Sequence, residues 1–160
     1  LFRSSAASDV YKRQVQGDPY VIEYNCRLGD PETQIILPLL ETDLLHLMDG
    51  LSNGLLSEID VALSPKAAAT ITLASGGYPG SYAKGIPMTL PAPADIEEDQ
   101  LLFHAGTKKE GGGTVTAGGR VLACIGFDAE LENAVKKAYA LADKVEYEGK
   151  TLRSDIGTVG

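Results

Sequence analysis

The stretch "VIEYNCRLGDPETQ", Val21 to Gln34, changes its period midway. Up to Arg27 it alternates: Ile22, Tyr24 and Cys26 fall on one side, Glu23, Asn25 and Arg27 on the other. Side chains two apart along a strand share a face, at a spacing of about 6.7 Å. A strand inside a sheet has no structural need for a carboxylate, an amide and a guanidinium in a row. The run then reaches Gly29 and Asp-Pro-Glu-Thr. Gly29 permits a tight turn, Asp30 is a favoured helix N-cap, and Pro31 suits the first helical position. Glu32 would then sit in a first turn, where negative charge meets the helix dipole favourably. The expectation is strand, turn, helix, with a polar strand face leading into a helix start.

The residue types on that face suit one chemistry. Glu23 and Asn25 both offer hard oxygens, the donors that Mg²⁺ takes at about 2.1 Å alongside water and phosphate. Arg27 carries a planar fork matched to phosphate or carboxylate. A helix N-terminus favours anions. Together they describe a metal–phosphate site of the phosphoryl-transfer kind, with Glu23, Asn25 and Arg27 pointing to one side. A solvated polar face or a ladder of ion pairs fits the same alternation, and Asp-Pro-Glu-Thr also fits a plain helix cap.

Outward from this stretch, "VQGDPYVIEYNCR" reads as a strand, a Gly-Asp-Pro turn and a second strand. Residues 1–14, "LFRSSAASDVYKRQ", show neither period and are expected to be an atypical, foreign leader outside the fold. Downstream, a helical pattern runs through "TQIILPLLETDLLHLMDGLSN", with Pro38 expected to kink or break it. Thr42 and Asp43 are candidate caps for the second piece, and Asn53-Gly54 ends it. From Ala67 the texture changes to short β-rich runs between Gly and Pro: "AAATITLAS", "LLFHAGT", "GTVTAGG" and "RVLACIGF". "KKEGGG" reads as a solvated hairpin tip and "SGGYPGSY" as turns, although its amides would also suit an anion. "DAELENAVKKAYALADKV" reads as a helix capped by Asp128, with a stripe of Leu131, Val135, Ala138, Ala142 and Val145. "EYEGKTLRSDIG" reads as a closing strand pair around Glu148-Gly149. The fold class is therefore α+β, with residues 15–63 forming one part and 64–160 a small β-rich domain with one packed helix.

Composition excludes several functions. The chain has 160 residues and a formal net charge of −8, and its lysine pairs Lys108-Lys109 and Lys136-Lys137 are isolated, so no patch suits sequence-independent binding of nucleic acid. No apolar run approaches the roughly 20 residues that span a bilayer. Cys26 and Cys124 each lie in an apolar strand-like run, which is the pattern of free thiols in a reducing cytosol. His46 sits among leucines as a packing or surface residue, and His104 in "LFHAGT" as a strand-end residue; no Ser/His/Asp or Cys/His arrangement is visible. Arg153 and Asp155, two apart, suit a local ion pair.

"VIEYNCRLGDPETQ" resembles the closing strand of the ATP-grasp active site in the phosphoribosylamine–glycine ligase (glycinamide ribonucleotide synthetase) family. Glu-x-Asn-x-Arg is shared with other ATP-grasp enzymes, such as biotin carboxylase; Gly-Asp-Pro-Glu-Thr-Gln is particular to the glycine ligase. "TLASGGYPGSYAKGIPM", "LFHAGT", "TAGGRVLACIGF", "AYALADKV" and "LRSDIG" agree in order, so the resemblance spans roughly residues 15–157. It implies ligation of glycine to 5-phosphoribosylamine with ATP, through glycyl phosphate, in de novo purine synthesis in the cytoplasm. It implies that Glu23 and Asn25 are ligands of Mg²⁺ or Mn²⁺, and that Arg27 stabilises the transferring phosphoryl group. It implies that Gly29, Asp30, Pro31, Glu32 and Thr33 line the substrate side. The partners are then small molecules, with neither nucleic acid nor membrane. A complete ligase is much longer, so the resemblance makes this chain a C-terminal fragment: the end of an ATP-grasp domain followed by the family's C-terminal domain. Another ATP-grasp carboxylate–amine ligase, or a non-catalytic β-rich binding or packing module, stands as the alternative.

Overall fold

The structure, a computed structural model, describes residues 9–15, 18–25 and 27–158; among residues 9–25 the side chains described are those of Asp18, Tyr20 and Val21. The chain divides after Thr33 into two compact units.

In the first unit, β1 (Asp9–Val15) and β2 (Asp18–Asn25) form a two-stranded antiparallel sheet. The strand ahead of the Gly-Asp-Pro turn thus begins at Asp9, and residues 9–14 of the stretch set aside as a leader pair with β2. Ile22 is passed over in the register, since Tyr11 faces Glu23 while Lys12 faces Val21. This bulge resets the alternation just ahead of Glu23 and leaves positions 23 to 25 in an unbroken ladder. α1 (Thr33–Leu39), which begins at the boundary, and α2 (Leu44–Ser52) follow and open the second unit. α1 contains Pro38 and stops one residue later, as a proline in a helical run requires. The break is stitched across the chain: Glu41 and Thr42 amides donate to the Ala62 carbonyl, and the Ala62 amide to the Thr42 hydroxyl. Asp43 caps α2, its carboxylate accepting from the Leu45 and His46 amides at 2.7 and 3.1 Å. Asn53 closes it, and Gly54 takes a φ of 73°.

The second unit holds β3 (Ala67–Ser75), β4 (Pro87–Thr89), β5 (Gln100–His104), β6 (Thr107–Glu110), β7 (Gly113–Thr116), β8 (Arg120–Asp128), α3 (Leu131–Asp143), β9 (Glu146–Tyr147) and β10 (Lys150–Thr151). They form two four-stranded antiparallel sheets, ordered β10-β3-β8-β5 and β6-β7-β4-β9. β8 is buried without interruption from Val121 to Phe127, because it is covered on both faces. On one side Leu122 and Cys124 join Ile71, Leu73, Ala138 and Leu141 in the main core under α3. On the other, Ala123, Ile125 and Phe127 meet Ala68 and Leu39. That is why "VLACIGF" has no polar alternation. Gly126 lets α3 approach: a Cβ there would stand 2.3 Å from the Ala134 carbonyl oxygen and 2.6 Å from the Ala138 amide.

Several local expectations hold, and three are corrected. Gly111 and Gly112, both at positive φ, turn the β6–β7 hairpin as "KKEGGG" foretold. Arg153 and Asp155 do pair, at 2.5 Å. Asp128 does not cap α3; Glu130 holds the cap position, while the Asp128 carboxylate accepts from the Glu130 amide at 3.2 Å and binds Lys137. Leu131 lies outside the buried face, which runs through Ala134, Ala138, Leu141 and Ala142. β9 and β10 do not pair with each other as a hairpin: β9 joins β4 in one sheet and β10 joins β3 in the other. Gly149, at φ 74°, turns the chain between the two sheets, and the Tyr147 hydroxyl fixes β9 to the Ala74 carbonyl.

Candidate active-site strand and turn

β2 delivers the polar run to its own C-terminal end. Glu23 stands opposite Tyr11 and Asn25 opposite Asp9, two residues apart in one ladder. Their side chains lie outside the described residues, so the expected convergence of two ligand oxygens lies outside them too, as does Cys26. A carboxylate and an amide oxygen remain a donor set suited to Mg²⁺ or Mn²⁺. Among the described residues no group of three His, Cys, Asp or Glu forms a metal cluster.

Arg27 is exposed, and its guanidinium gives one hydrogen bond, to the Leu28 carbonyl at 3.2 Å. The rest of the fork faces solvent, open to an anion. Gly29 is buried, and its carbonyl accepts both the Thr33 amide at 2.9 Å and the Thr33 hydroxyl at 2.5 Å. These two bonds close a turn over Asp30, Pro31 and Glu32, the Asp30–Pro31 bond being cis. The helix therefore starts at Thr33, not at Pro31, and Asp30 is no N-cap. Glu32 precedes the helix and does not occupy its first turn. The reason is local: residues 30–32 are taken up by the turn that Thr33 closes on Gly29. Thr33 spends its only hydroxyl proton inside this turn, which leaves its oxygen as an acceptor.

In the second unit, sequence reasoning passed over an ionic hub. Lys137 on α3 reaches Asp128 at 2.7 Å, Asp99 at 3.1 Å and the Phe127 carbonyl at 3.1 Å, and Lys66 meets the other oxygen of Asp99 at 2.6 Å. Donation from Lys137 holds the Asp128 carboxyl down at about 2. Asp99 is lowered as well, chiefly by its bond to Lys66. The partners lie far apart in sequence, and only the Lys136-Lys137 pair marked the place. A cleft of about 370 Å³ opens beside the hub, lined by Pro38, Leu39, Glu41, Leu101 and Phe127 together with Lys66 and Asp99. Cys124 is free, as expected, and burial pushes its thiol up to about 12, which leaves it unreactive. His104 is exposed at the end of β5, and its Nδ1 is 2.8 Å from the Thr107 hydroxyl. The motif around it has a backbone reason. Gly106 and Gly118 touch where β5 leaves one sheet for β6 and β7 leaves the other for β8; a Cβ on Gly106 would stand 2.6 Å from the Gly118 Cα.

Residues 68–159 match the family described as phosphoribosylglycinamide synthetase, C domain. The chain belongs to this family. Its relatives include a bifunctional purine biosynthetic protein of Pichia angusta, 48% identical over 141 residues, covering 88% of this chain and 18% of the relative. The phosphoribosylamine–glycine ligase of Chlorobaculum tepidum is 42% identical over 142 residues, covering 89% of this chain and 33% of that protein. The crystal structure of the phosphoribosylamine–glycine ligase of Thermotoga maritima superimposes with a TM-score of 0.66 at 40% identity, over 91% of this chain and 35% of that one. The chain thus spans about a third of the ligases it resembles. The chain mixes helices and antiparallel sheets in the α+β manner, and no helix among the described residues is long and apolar enough to cross a membrane.

Proposed function

We propose that this chain is the C-terminal part of a phosphoribosylamine–glycine ligase, an enzyme that joins glycine to 5-phosphoribosylamine with ATP in purine synthesis in the cytoplasm. The observation that carries this is 40–42% identity to ligases of that name along about nine-tenths of the chain, the Glu23-to-Thr33 run included. Residues 15–63 then close an ATP-grasp domain and 64–160 form the C-terminal domain.

In this reading Glu23 and Asn25 hold Mg²⁺ or Mn²⁺, which when bound offsets phosphate charge. Arg27, whose fork is mostly unspent within its own turn, binds the phosphoryl group as it moves to the glycine carboxylate. Glycyl phosphate results, and the amine of phosphoribosylamine attacks its carbonyl carbon and expels phosphate. Gly29 to Thr33 form a pre-closed turn on the substrate side, its shape held by the two bonds from Thr33 to the Gly29 carbonyl, and Asp30, Pro31 and Glu32 lie on that turn. Such catalysis is mostly positioning and charge placement, so its parts must all be present. One strand and one turn supply only part of that machinery.

The 160-residue chain alone is therefore expected to form no glycinamide ribonucleotide from ATP, Mg²⁺, glycine and fresh phosphoribosylamine. The same chain substituted for the matching region of the Chlorobaculum tepidum ligase is expected to restore product and ADP. Product from the lone chain would refute the fragment reading, and a folded but inactive chimera would refute the assignment to this ligase.

A further inference from the structure

Among the described residues, the large apolar side chains left exposed gather in one segment. Ten of them fall between Ile36 and Leu63. α2 touches its own unit through Gly50, where a Cβ would stand 2.2 Å from the Ile59 side chain. Its leucine stripe is left uncovered. Leu44, Met48 and Leu51 recur at the spacing of one helical face, with Leu45 beside them, and Leu55 follows beyond the end of the helix. Leu45 is 75% exposed, Leu51 64% and Met48 59%. A helix of nine residues has little stability of its own in water, and such a face is normally buried.

Charge says what covers it. Residues 34–63 hold five acidic side chains, Glu41, Asp43, Asp49, Glu58 and Asp60, and no Lys or Arg. A second copy laid on this face would set five carboxylates against five, which opposes a symmetric dimer. A surface with an apolar centre and a basic rim fits instead. Length says where that surface is found: two-thirds of the ligases this chain matches lies outside it.

We infer that the α2 stripe is a docking surface for the remaining two-thirds of the ligase chain, which meets it with apolar side chains ringed by Lys and Arg. The inference rests on the functional reading above. It makes α2 an interdomain joint whose formation depends on the rest of the enzyme.

Amide hydrogen exchange over Leu44–Ser52 tests this, comparing the lone chain at several concentrations with the Chlorobaculum tepidum chimera. Exchange is expected to be fast and independent of concentration in the lone chain, and at least about tenfold slower in the chimera. Equal rates would overturn the inference. Slowing of the lone chain with concentration would replace the joint with a dimer, and slow exchange at the lowest concentration would mean that the chain covers the stripe itself; either outcome overturns it. If the chimera does not fold, the same measurement on the matching helix of the Chlorobaculum tepidum ligase decides, and fast exchange there sinks the idea. Asp49→Lys combined with Glu58→Lys is expected to lower the Tm of the chimera but not of the lone chain; an equal drop in both removes the basic rim. Ligation by a chimera whose α2 still exchanges fast defeats the docking inference alone. A protected α2 without product defeats the functional reading alone.

Discussion

Two side chains carry the sharpest expectations. Glu23→Gln keeps the shape of the residue and removes its charge. In the chimeric ligase it is expected to lower turnover by at least about tenfold to a hundredfold, the range that loss of a ligand's outer partner alone produces. An unchanged rate at limiting Mg²⁺ would reject Glu23 as a ligand. Lys137 gives a pH signature. An unfolded aspartate titrates near about 3.9, whereas Asp128 is held at about 2 by Lys137. A carboxyl with a depressed folded pKa stabilises the fold above the unfolded value, and that contribution is lost as pH falls from about 4 to about 2. Asp99, lowered by Lys66 and Lys137, acts in the same direction. Lys137→Met is expected to lower the Tm at neutral pH and to flatten the loss of stability over that acid window. Thermal melts showing the parent's slope in the variant would detach the hub from acid sensitivity.

At the scale of elements, the contact of α3 with β8 depends on a missing side chain. Gly126 faces the helix where Ala134 and Ala138 stand, and any Cβ there meets helix backbone, not a movable side-chain end. The helix must lift, and Leu141 and Ala142 lift with it. Gly126→Ala is therefore expected to cost about 2–3 kcal/mol, as overpacking a close-packed core does. The midpoint of urea unfolding reads this directly, and a change within error would mean that α3 rides higher on the sheet than the close approach implies. The ends of α3 are fixed by different means. At its C-terminal end Lys150 donates to the Ala142 and Val145 carbonyls. Beyond it Tyr139 holds the tail, donating to the Arg153 carbonyl and accepting from the Ile156 amide.

For the whole molecule the two units differ in what supports them. The second, from Gln34 onward, has two four-stranded sheets, the helices α2 and α3, nearly all of α1, and a core with fully buried Ile71, Leu73, Leu122, Ile125 and Leu141. The first has a two-stranded sheet, which by itself is marginal in water. Amide exchange of the 160-residue chain is expected to show protection concentrated after Ala67 and strongest in β3, β8 and α3, with β1 and β2 exchanging fast. Equal protection in β2 and β8 would mean that the first unit is stable on its own.

The sequence by itself determined what depends on neighbours along the chain. Glycine pairs with positive φ made the β6–β7 turn, Pro38 stopped α1, Asp43 capped α2, and the apolar run "RVLACIGF" read as a strand, its burial on both faces being shown by the fold. The order of motifs placed the chain in its family, and the residue types from Glu23 to Arg27 pointed to metal and phosphate chemistry. The tertiary structure decided what depends on partners distant in sequence. The Glu148-Gly149 turn looks like a hairpin because hairpin turns are local, yet β9 and β10 find stronger partners in β4 and β3 and go to separate sheets. Asp128 looks like a cap because it precedes a helix, yet Lys137 sits within 2.7 Å and claims it. Asp30 and Pro31 look like a helix start, yet Thr33 closes a turn on Gly29 first, and only three-dimensional geometry reveals that the backbone has already been spent there.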